Sequence, residues 1–175
     1  MKLHPPPAPA AAAADLSSTE ALAALLEAAR ALQRAAQAGA TRPLLKGRIF
    51  AVLCASADAE VGADTDTDAT YALLIDRAAT ELGARVAHIR PHLNESSDPR
   101  TVEATAQMLG RLYSAVVCEA VSPALLRRLG AIAGIPVFGG LDAPAHVVST
   151  VTALLGGSAD DRKFALQALL LRSVA

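Results

Sequence analysis

Four short apolar runs, each separated from the next by a helical stretch, constrain this chain more than any other feature. They are RIFAVLC (48–54), RVAHI (85–89), SAVVCE (114–119) and IPVF (135–138). A strand with one wet face alternates apolar and polar residues. A continuous apolar run marks a strand covered on both faces, as in a parallel sheet. The stretches between them carry helix signals. Ser17 and Glu20 have capping-box spacing. Leu22, Leu25, Leu26, Ala29 and Leu32 then share one helical face through Gln37, and Gly39 ends that helix. Arg42 to Lys46 is a connector, with Pro43 barring helix. Further helices are expected over 69–82, 100–112, 123–133, 144–155 and 160–172, the third opened by Ser122 with Pro123 behind it. Strands alternating with helices predict an α/β fold, a small doubly wound four-stranded parallel sheet flanked by helices on both faces. Ligands in such folds lie beyond the carboxyl ends of the strands. Here that rim carries Cys54 and the acidic loop 55–67, Arg90 to Asn94, Glu119, and Gly139 to His146.

The 175 residues suit one domain, and 53% hydrophobic content is ample for its core. Aromatics are 3%, so that core is aliphatic and alanine-rich. A net charge of −1 leaves no basic face for nucleic acid or an anionic membrane. No stretch is long and apolar enough to span a bilayer. Met1 to Ala14 is rich in Pro and Ala, so residues 1–15 are expected to form a disordered tail. Residues 16–175 are then one α/β domain that includes a C-terminal helix, 160–173. Cys54 and Cys118 each fall at a strand end and read as unbridged thiols of a cytoplasmic protein. Gly139–Gly140 reads as a turn, since no Gly-rich lead into Lys or Ser makes it a phosphate loop. No cofactor and no metal ion is expected.

Four stretches taken together resemble a known family: LLKGRIFAVL (44–53), ATELGARVAHI (79–89), EATAQMLGRLYSAVVCE (103–119) and GIPVFGGLDAPAH (134–146). Their order and spacing are similar to the carbamoyl-phosphate domain of the aspartate/ornithine carbamoyltransferases. DDRKFALQALLLRSV (160–174) resembles the helix that returns from that family's second domain to pack on the first. The resemblance implies a half-length carbamoyltransferase with the middle removed and the ends rejoined. The final helix would cover an apolar face that truncation exposes.

The resemblance also implies a phosphate clamp, and the residues depart from it. The family's Ser-Thr-Arg-Thr-Arg motif grips a dianionic phosphate with helix-start amides and two guanidiniums. Counting forward from Leu53 puts the motif near Asp58, and counting back from Leu82 puts it near Asp68, so the difference is an insertion. Neither register supplies an arginine. The segment holds Asp58, Glu60, Asp64, Asp66 and Asp68 instead. The family's arginine after the third strand aligns with Glu119. Its loop lysine falls near Ser97 or Asp98, with Arg100 close by. After the family histidine, Pro and Gln align with Val147 and Ser149. His146 alone matches; in the family it helps polarise the carbamoyl carbonyl.

The candidate catalytic residue is therefore His146. It serves either as a donor to a small carbonyl or as a helix-start histidine with a structural bond. Candidate ligand-binding residues are Arg90, Arg100, Asp68, Glu119, Gly140 and Leu141. Arg90 is the best rim cation for a small anionic ligand, or else a surface residue. His88 and His92 flank it as a strand and a loop residue. The run DTDTD (64–68) has calcium-loop spacing, but Ala69 replaces the usual Gly and Ile75 the bidentate Glu. The plainer reading is a solvated loop with Asp68 capping the next helix. These readings lead to a non-catalytic, oligomer-forming module, a homotrimer or a partner of a related enzyme. Two alternatives remain: a carbamoyltransferase subunit completed by a partner chain, and a metal or small-anion sensor built on loop 58–68.

Overall fold

The computed structural model describes residues 19–54, 65–119, 121–139 and 143–174. The expected tail 1–15 and the Ser17 cap lie outside them, as do Asp58, Glu60, Asp64, Gly140 and Leu141. In chain order the elements are α1 (Thr19–Gln37), β1 (Ile49–Cys54), α2 (Thr65–Glu81), β2 (Arg85–Ile89), α3 (Pro99–Leu112), β3 (Ala115–Glu119), α4 (Pro123–Ala133), β4 (Val137–Gly139), α5 (Ala143–Leu155) and α6 (Ala159–Val174). The four strands form one parallel sheet in the order β2-β1-β3-β4. This is the doubly wound arrangement expected from the apolar runs.

Successive strand residues feed opposite layers, because side chains in a strand alternate faces. Phe50, Val52, Ala115 and Val117 pack with α1, α2, α5 and α6. Ala51, Leu53, Val116 and Cys118 pack with α3 and α4. The central strands β1 and β3 are buried on both sides, which explains why their sequences read as unbroken apolar runs. Cys118 keeps its thiol buried against the α3–α4 layer. Cys54 and Cys118 stand on neighbouring strands one register step apart, with Cys54 opposite Glu119 and Leu53 opposite Cys118.

The helix ends follow from local chemistry. Asp98 caps α3 by accepting from the N–H groups of Arg100 (3.1 Å) and Thr101 (3.4 Å), and Pro99 takes the first helical position. Ser122 does the same for α4 through Leu125 N–H, and Gly134 ends that helix in the left-handed region. At α6, Ser158 and Asp161 form a capping box. The Ser158 hydroxyl accepts from Asp161 N–H (3.1 Å), and the Asp161 carboxylate accepts from Ser158 N–H (3.0 Å) and from its hydroxyl (2.7 Å).

The α6 helix covers an apolar face, as expected, and goes further. Every residue from Lys163 to Leu170 is buried, flanked by α1, α2 and α5. Its polar residues are therefore paired. Lys163 Nζ lies 3.0 Å from Glu81, Gln167 donates to Glu81 (3.3 Å), and Gln33 of α1 donates to Asp161 (2.8 Å). Burial raises the Glu81 carboxyl, but hydrogen bonds and charge from Lys163 and Arg77 outweigh it and hold the group below the usual glutamate range. Asp161 is also held low, by the hydroxyl and then the N–H of Ser158.

Two boundaries differ from expectation. The α2 helix opens at Thr65 rather than near Ala69, so Asp68 lies inside its first turn and is not its cap. Carboxylates in a first turn are favoured by the helix dipole without any apolar periodicity, which is why the periodic signal started too late. The fourth strand is Val137–Gly139 rather than 135–138, so Gly139 ends a strand instead of opening a turn.

Candidate functional site

In a sheet ordered β2-β1-β3-β4, the chain reverses direction between β1 and β3, so a crevice opens beyond the carboxyl ends of those two strands. Cys54 and Glu119 are the paired residues at that point. Glu119 is 7% exposed, so β3 ends at the crevice on a buried acidic residue. Across the rim, Arg90 follows β2 and Gly139 ends β4. At a strand spacing of about 4.8 Å, the backbones of Arg90 and Glu119 stand roughly 10 Å apart.

The helices bring the remaining candidates to the rim from opposite sides. His146 lies in the first turn of α5, on the layer shared with α1, α2 and α6. It is exposed, and its carbonyl accepts from the Thr150 hydroxyl (3.0 Å). Arg100 lies in the first turn of α3, in the other layer, and is exposed too. The start of α3 is already occupied by the Asp98 carboxylate. Ser97, the other position aligned with the family's loop lysine, closes a turn with Asn94 through 2.9 and 3.2 Å hydrogen bonds. His92 in the same loop adopts φ 49°, and His88 on β2 lies 3.8 Å from Asp76 of α2.

The fold thus joins Glu119 directly to the switch point and sets Arg90, Arg100 and His146 around its edge. Gly140 and Leu141 fall outside the described residues. Thr65 to Asp68 belong to the helical backbone of α2, where a loop was expected. Among the described residues, no group of three or more His, Cys, Asp or Glu gathers where a metal ion could be held. Sequence reasoning missed Asp98 as a helix cap, although an Asp-Pro step before a helical run signals one.

No family model matches the chain. Similarity to individual proteins is clear. The chain is 30% identical to an ornithine carbamoyltransferase of Haemophilus influenzae over 122 residues, which is 70% of this chain and 34% of that protein. It is 31% identical to one of Actinobacillus pleuropneumoniae over the same share of each. The curated relatives it matches are ornithine carbamoyltransferases. The chain spans about a third of the length of these curated relatives. Solved structures of the family share the fold. Ornithine carbamoyltransferase from Pyrococcus furiosus superposes with a TM-score of 0.62 at 20% identity, covering 79% of this chain and 42% of that one. The catalytic subunit of aspartate transcarbamoylase from M. jannaschii superposes with a TM-score of 0.60 at 17% identity, covering 79% and 44%. Where the family resemblance calls for arginines after the first strand, no lysine or arginine occurs between Arg48 and Arg77 in this chain.

Proposed function

We propose that this carbamoyltransferase-related chain is a non-catalytic module that acts by assembly, as a homotrimer or with subunits of a related enzyme. One observation carries the reading. The buried residue at the switch point is Glu119, where alignment with the family calls for a cation. Two like unit charges 4 Å apart repel by about 4 kcal/mol at an effective dielectric near 20. A carboxylate there opposes the dianionic phosphate that the family's clamp is built to hold. The acidic segment from Asp58 to Asp68 adds to the same sign of charge. Isothermal calorimetry with carbamoyl phosphate tests the loss of binding. Absence of heat at micromolar ligand is expected, and a saturable signal would sink the proposal. Sedimentation equilibrium tests assembly, with a trimer mass expected and a strict monomer counting against it.

A second reading has its own support. His146 is exposed at the rim in the place of the family's histidine, and the chain's relatives are named as ornithine carbamoyltransferases. A partner chain that supplied the missing cations and a second domain would restore transfer of a carbamoyl group to an amino acid. Carbamoylation of ornithine by the chain together with a co-purified partner would decide for it, and loss of that activity in His146→Ala would place the histidine in it.

A further inference from the structure

A second concavity lies at the opposite end of the sheet from the rim. It is a cleft of about 480 Å³ between α1, α6 and the connector that precedes β1. That volume falls within the roughly 300–1,000 Å³ typical of small-molecule sites. One wall is the alanine face of α1, with Ala28, Ala31 and Ala35; the other carries Phe164 and Leu171 of α6. Two charged residues reach it, and they differ. Glu81 is already engaged: one oxygen accepts from Arg77 (3.0 Å) and Lys163 (3.3 Å), and the other accepts from Gln167 (3.3 Å) and lies 3.0 Å from the Lys163 ammonium. Arg42 is exposed, and its guanidinium has no hydrogen-bond or ion-pair partner among the described residues.

An apolar trough with one uncommitted guanidinium is complementary to a molecule that is apolar along its length and anionic at one end. A cationic head would meet Arg42 with like charge, and the Glu81 charge is already balanced by Arg77 and Lys163. Four alanines of α1 line the trough beside Leu32, so that wall is wholly apolar. We propose that this cleft binds a free medium-chain alkyl carboxylate, with the chain along the α1 alanines and the carboxylate on Arg42.

The test uses the full chain, with decanoate below its micelle concentration and decylamine as the opposite-charge control. Calorimetry should give saturable one-site binding of decanoate, and a ligand that binds the folded state must raise the melting temperature. Arg42→Gln, at an exposed position, should weaken decanoate about tenfold, the loss of one charge-assisted contact. Ala31→Phe should fill the trough and abolish binding; the ligand-free melting curve reports whether each variant folds. Equal affinity for decylamine, or unchanged decanoate affinity in Arg42→Gln, would overturn the proposal. So would an Ala31→Phe chain that changes oligomeric mass while binding decanoate as before, since the cleft would then be a contact between copies.

Discussion

The two faces of the sheet are held by different means. On the α3–α4 face the contacts are apolar, among them Val102, Leu109, Leu125 and Leu129, and the helices touch closely where Gly110 lies against the backbone of Ala133. The opposite face has an equally apolar core, but α6 is also tied to α2 through Lys163, Gln167 and Glu81, and to α1 through Asp161 and Gln33. Connectivity explains the contrast. The α3 and α4 helices are crossovers between strands of one sheet, so chain geometry already aims them. The α6 helix follows α5 with no strand between them, so no crossover aims it, and its rotation and register depend on side chains. Paired polar groups in a mostly buried helix penalise misplacement because any slip strands a charge.

The largest expected effect tests whether α6 is core rather than cover. Leu166 is 2% exposed, and Leu166→Ala should cost about 3 kcal/mol in denaturant unfolding. A loss below about 1 kcal/mol would mean that the helix is loosely docked. The other face has its own weak point. A Cβ on Gly110 would overlap the Ala133 carbonyl, so Gly110→Ala should cost about 2 kcal/mol. Hydrogen exchange should quicken in α3 and α4 while α6 stays protected; equal loosening of both faces would erase the contrast drawn above.

Glu81→Gln should cost about 1 kcal/mol, since buried Lys163 would keep only the exposed Asp160 at 3.7 Å, while the 35% exposure of Glu81 screens part of the pair. The pH dependence has a definite sign. A carboxyl held low when folded contributes stability that is present above its unfolded value and lost as pH falls through the folded one. Wild type and Glu81→Gln should therefore converge as pH falls below the ordinary glutamate range. A gap that persists at lower pH would show that packing, not ionisation, sets the difference. The smallest effect is expected at the capping box. Ser158→Ala should cost about 1 kcal/mol or less and return Asp161 toward its ordinary carboxyl range, read from its NMR titration. An unmoved titration would assign the Asp161 shift to another group.

Element by element, the fold was legible because its signals are local. RIFAVLC and SAVVCE announced buried strands, and Ser122-Pro123 announced the start of α4. The start of α2 was misplaced where residues joined the helix for electrostatic rather than periodic reasons. The rim candidates were legible as a set from strand ends, but not their grouping. Cys54 and Glu119 are paired by the register of β1 on β3, whereas Arg100 and His146 approach from opposite layers.

The amino-acid order by itself determined the number of strands, their parallel sense and the helix that follows each, since apolar runs and caps act over a few residues. Tertiary structure decided which polar groups are buried and what they meet. Glu81 and Lys163 lie 82 residues apart in the chain, and the α1–α6 cleft exists only once both helices are docked. Local propensity carries no information about such distant pairs; packing creates them.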